Sequence, residues 1–214
     1  MITTAAVCPH PPLLLRELTG QQDAAAGLRD ACRTVLGRVL RPPVEHVAVV
    51  GGAPAALGTR RPDLARGLPL SLRVAVRLLE EADWTGSVEL HPVAEDAPVE
   101  ECLRRGRELA AARRPTALLV AGDGSACRGP RAPGHLDARA HGFDGDLVDA
   151  LREGDPARLA ALDPETAREL MVQGRAALQV LAGAAAERAA PPRPDVVYAD
   201  DPYGVMYVVA EWRW

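Results

Sequence analysis

Apolar positions fall into short β-branched runs that alternate with longer amphipathic stretches. Residues 2–7 form the first run, which stops at Cys8-Pro9-His10-Pro11-Pro12, where prolines forbid a continuing strand or helix. A helical pattern over residues 21–40 follows and ends at Arg41-Pro42-Pro43. Residues 46–50 predict a second strand running into Gly51-Gly52. The apolar positions Leu70, Leu72, Val74, Val76, Leu78 and Leu79 fit more than one period. The length of the stretch and its polar Arg73, Arg77, Glu80 and Glu81 favour a helix over 70–82. Residues 87–90 predict a weak strand and 98–113 a helix.

Residues 116–121 carry the strongest buried-strand pattern and end in Gly122-Asp123-Gly124-Ser125. A polar loop is expected over 128–141, then three helical segments. Two of these start at Asp155-Pro156 and Asp163-Pro164, where a capping acceptor precedes a proline at the first helical position. The third covers about 174–188. After a proline-rich link at 190–194, strands at 196–198 and 205–211 flank the turn Asp200-Asp201-Pro202-Tyr203-Gly204.

Strands alternating with helices predict an α/β fold: one three-layer α/β/α domain over residues 1–214 with a mixed, largely parallel sheet. The closing hairpin supplies the antiparallel strands. Ligands of such sheets collect at the carboxyl ends of the strands. The candidate pocket therefore comprises His10, Gly51, Gly52, Asp123 and Ser125, with Asp201 and Tyr203 from the hairpin turn.

Composition narrows the function classes. The chain has 214 residues, of which 48% are hydrophobic and 25% charged, as in ordinary globular domains. Its 25 basic residues are all arginine, scattered among 29 acids, and the net charge is −4. Nucleic-acid binding is not expected without a dense positive face. Leu13-Leu14-Leu15 is too short to cross a bilayer, and no basic region followed by an apolar stretch marks a secretory leader. Cys8, Cys32, Cys102 and Cys127 show no paired spacing and read as reduced thiols, so a cytoplasmic setting is expected.

Individual candidates carry alternatives. His10, between prolines, is either a pocket group or a residue tying its turn. Asp123, between glycines, is either functional or an Asx-turn acceptor. Gly51-Gly52 either cradles an anion or only lets the backbone pass, since no phosphate-loop pattern is present. Ser125 lacks the GxSxG context of a nucleophile. His135 and His141 are either loop metal ligands or solvated. Trp212 and Trp214 cap a core or an interface.

The opening VCPHPPLLL resembles the start of class III extradiol dioxygenases of the LigB type and of the related Memo-like proteins. AGDGSACRGPRAPGHLDARAHGFDGDLVDAL and GDPARLAALDPETARELMVQGRAALQVLAGAA resemble the middle and the helical C-terminal part of that superfamily, most nearly its short subunit-B-like group. The resemblance implies ring opening of a catechol at Fe(II) held by two His and one carboxylate, with a further His as acid/base. His10 matches the first ligand. The second His would fall in Val50-Gly51-Gly52-Ala53, the acid/base at Ala126, and the carboxylate near Ala176 or Gln179, and none of these residues can serve. Asp123 matches an Asp of the Memo-like loop. Two expectations follow. One is a catalytically degenerate relative whose strand-end pocket serves a small ligand or a partner. The other is an oxidoreductase with a remodelled divalent-metal site, Fe(II), Mn(II) or Zn(II), built on His10 and Asp123 and acting on a small aromatic substrate. In the second case Asp200, Asp201, His135 or His141 would supply the third ligand. The resemblance also implies a homodimer or a partner subunit, with contact sought at the aromatic C-terminus.

Overall fold

A computed structural model describes residues 1–19, 23–54, 67–186 and 188–214. In chain order these form β1 (Ile2–Cys8), a 3-10 turn (Pro12–Leu14), α1 (Arg16–Thr19), α2 (Ala26–Val39), β2 (His46–Ala53), α3 (Leu70–Glu81), β3 (Ser87–Ala94) and α4 (Val99–Ala110). There follow β4 (Thr116–Ala121), α5 (Arg139–Glu153), α6 (Pro156–Ala160), α7 (Pro164–Glu169), α8 (Arg175–Ala186), β5 (Arg193–Asp200) and β6 (Tyr207–Arg213). The predicted start of the second helix at residues 21–22, and residue 187 in the last one, lie outside the described residues.

The six strands make one sheet in the order β3-β2-β4-β1-β6-β5. The β3-β2-β4-β1 part is parallel, and β6 and β5 are antiparallel to their neighbours. The expected mixed, largely parallel α/β fold is the one observed. Successive side chains of each strand enter opposite cores. Val47 and Val49 join Leu28, Val35, Leu36, Leu72 and Leu79 of α2 and α3. Ala48 and Val50 join Leu147, Leu178 and Leu181 of α5 and α8. Covering both faces removes any need for polar alternation, which is why β4 reads as an unbroken apolar run.

Several elements differ from expectation, among them β5, which starts at Arg193 inside the stretch read as a proline-rich link. β2 passes through Gly51 and Gly52 to Ala53, paired with Pro92, Val93 and Ala94 of β3. β3 runs on to Ala94 through Pro92, which an edge strand tolerates because its outer side needs no ladder bond. Four helices instead of three follow β4, because α5 begins at Arg139 inside the stretch read as loop, bringing Asp144 inward.

Candidate functional site

Parallel pairing sets the carboxyl ends of β1, β2 and β4 side by side. Cys8 is in register with Ala121, and the Gly122 amide donates to the Cys8 carbonyl at 3.1 Å. Pro9-His10 is thereby held against Gly122-Asp123. The His10 amide donates to Asp123 Oδ1 at 2.8 Å, and His10 Nδ1 lies 3.6 Å from the same oxygen. Both residues are buried, and Nδ1 has no hydrogen-bond partner. Burial pushes the Asp123 carboxyl up, with His10 acting in the opposite sense. Burial also raises the Tyr207 phenol, aided by the Asp123 charge. Next to the pair, Cys32 on α2 has its thiol raised by its hydrogen bond with Cys8 and by burial. All four cysteines are free and buried.

The other strand-end candidates are bound within the protein. Ser125 is fully buried; its Oγ donates to Asp144 Oδ2 at 2.5 Å and its amide to Asp144 Oδ1 at 2.8 Å. Arg128 Nη1 donates to Asp144 Oδ2 at 3.3 Å, and Arg128 Nε pairs with Asp201. Burial raises the Asp144 carboxyl against the lowering by Ser125 and Arg128. This network ties the β4 loop to α5 and to the hairpin turn, so Ser125 and Asp201 fasten elements together. Tyr203 is exposed, and its hydroxyl donates to the Ala24 carbonyl at 3.1 Å.

Gly51 and Gly52 are ladder residues of β2 rather than a loop after it. A Cβ on Gly51 would lie 2.6 Å from Ser71 Oγ, which donates to the Gly52 carbonyl at 2.6 Å. A Cβ on Gly52 would meet the Gln173 carbonyl at 3.0 Å. The glycines admit α3 on one side and the segment before α8 on the other.

The positions that matter to the resemblance are also settled. Ala126 is buried, its amide bonded to the Leu170 carbonyl. Gln179 donates to the carbonyls of Ala160 (3.2 Å) and Leu162 (2.9 Å) and accepts from Arg175. His135 and His141 are exposed, and Asp137 between them pairs with Arg139. Among the described residues no group of three or more His, Cys, Asp or Glu side chains is placed to hold a metal ion. Trp212 belongs to the core, its indole N–H donating to the Leu151 carbonyl at 2.8 Å. Trp214 meets it edge-on under Arg188.

Sequence reasoning missed a cleft at this end of the sheet. A cleft of about 640 Å³ opens beside Gly52, between Glu95 and Asp96 after β3, α7 with Glu165 and Arg168, and Met171, Val172 and Arg175. The available signal was Arg175 itself, a lone charge at the head of the apolar run AALQVLAGAAA.

The architecture is that of a three-layer α/β domain with its polar pair and its cleft at the carboxyl edge of the sheet. Among solved structures it is similar to the uncharacterized protein JW3007 from Escherichia coli K12, with a TM-score of 0.56 and 14% identity over 99% of this chain and 100% of that one. This likeness shows the fold. No protein family and no curated protein matches the chain. No helix among the described residues is long and apolar enough to cross a membrane.

Proposed function

We propose that the chain is a catalytically degenerate relative of the class III extradiol dioxygenases, which keeps the scaffold and binds a small ligand at the carboxyl edge of its sheet. The observation that carries this reading is the donor set. Among the described residues no group of three or more His, Cys, Asp or Glu side chains is placed to hold a metal ion, and in the His10–Asp123 pair one oxygen of Asp123 already accepts the His10 amide. Fe(II) poised for oxygen chemistry takes two His and a carboxylate on one face. His10 and Asp123 alone do not fit it, and no side chain at Ala126 stands ready to move a proton. The four buried free thiols accord with a cytosolic setting.

A second reading is an oxidoreductase acting on a small aromatic substrate through a remodelled metal site. It draws on one observation, the buried and unpartnered Nδ1 of His10. Anaerobic loading with Fe(II), Mn(II) or Zn(II), followed by metal analysis of the wild type and His10→Ala, separates the two. The degenerate reading expects no retained metal in either protein. Near one equivalent in the wild type, lost in the variant, would establish the second reading instead.

A further inference from the structure

Arg175 is 3% exposed and is the first residue of α8. Its Nη1 donates to the Ala97 carbonyl at 2.6 Å and to Gln179 Oε1 at 3.1 Å, and its Nη2 to the Glu95 carbonyl at 2.5 Å. These acceptors are neutral, and no carboxylate among the described residues forms an ion pair with it. A buried charge without a counter-charge is costly, and a cation at the positive end of a helix adds to the cost. Two of the five guanidinium hydrogens, that on Nε and one on Nη2, have no partner among the described residues. Nε and Nη2 are adjacent on the guanidinium, and two adjacent N–H groups are what meets a carboxylate with parallel bonds. Arg175 also lines the cleft.

The rest of the cleft has the opposite sign. Glu95, Asp96 and Glu165 are exposed at its rim, and no described residue forms an ion pair with their carboxylates. Arg168 is the single rim cation among the described lining residues. The apolar part of the lining is Pro164, Ala167, Met171 and Val172, of which Ala167 and Val172 are buried. A plain anion would meet the rim acids, and a plain cation would meet Arg175. A molecule with both charges and an apolar body satisfies all three regions.

We infer that this cleft binds a small zwitterion, its carboxylate on Arg175, its ammonium toward the rim acids and its apolar body on Met171 and Val172. The inference rests on the ligand-binding reading above and names the ligand class. Titration calorimetry on the chelator-dialysed full chain tests it with three probes. These are leucine, 4-methylpentanoate, which lacks the ammonium, and isopentylamine, which lacks the carboxylate.

Leucine is expected to bind at least about tenfold more tightly than either single-charge probe. Arg175→Lys keeps the charge but loses the planar fork, and should weaken both carboxylate probes. Should that variant fail to fold, Glu165→Gln on exposed α7 still decides. It should weaken leucine several-fold and leave 4-methylpentanoate unchanged. No heat from leucine, or equal affinity for all three probes, overturns the inference and leaves the reading of the metal site intact. Metal retained in the loading experiment overturns that reading alone.

Discussion

Asp123 illustrates how one buried carboxyl group answers to pH. Its burial holds the folded-state value above the unfolded one of about 3.9, so the native state binds the proton more tightly. Stability then falls as pH rises above the unfolded value, the stabilisation by the bound proton being lost through the folded one. Asp123→Asn keeps an acceptor for the His10 amide and removes the titration. Urea unfolding at several pH values should show the variant gaining on the wild type as pH rises above about 4. A constant difference above that pH would mean that Asp123 does not titrate there. Asp144, raised by burial in the same direction, keeps part of the wild-type slope in the variant. The His10–Asp123 pair was legible because each residue ends an adjacent strand. The partners of Ser125 and Asp201 were not, since Asp144 and Arg128 reach them through side-chain geometry that no spacing encodes.

Elements with their own punctuation were read closely. The Asp-Pro starts of α6 and α7 are caps as expected: Asp155 accepts from the amides of Ala157 (2.8 Å) and Arg158 (3.2 Å), and Asp163 from Thr166 (2.8 Å). Asp155→Ala should lower stability by about 1 kcal/mol while Asp155→Asn stays near neutral, as read from denaturation midpoints. Equal losses in the two variants would assign the effect to charge rather than to capping. Elements whose ends depend on a neighbour were misjudged. Gly51-Gly52 looked like a stop, yet glycine is required there because Ser71 of α3 approaches so closely. The start of α5 was hidden because its N-cap residue, Ala138, has no capping side chain and the Arg139 amide is taken instead by Asp137, one residue further out.

For the whole molecule, alternating strands and helices sufficed for the class of fold, and the closing hairpin for the mixed sheet. The strand order was not legible, because the insertion of β1 between β4 and β6 depends on which apolar faces meet in space. Nor was the seam between α4 and α8, where a Cβ on Gly106 would lie 2.1 Å from the Val180 carbonyl and one on Gly183 2.2 Å from that of Leu103. Backbone meets backbone there, so one methyl group forces the helices apart. Gly183→Ala should cost on the order of 1–3 kcal/mol, measured by thermal or urea unfolding. Wild-type stability would show that the two helices part easily.

That seam also decides how the cleft behaves mechanically. One jaw, carrying Arg175, is mounted on α8, which is buried along its length from Arg175 to Ala185 and clamped by α4. The other, carrying Glu165 and Arg168, is the six-residue α7, with little beneath it but Ala167. Adjustment to ligands of different size therefore falls to α7. The anchoring charge stays where the sheet and α4 set it, so one grip can serve bodies of several shapes.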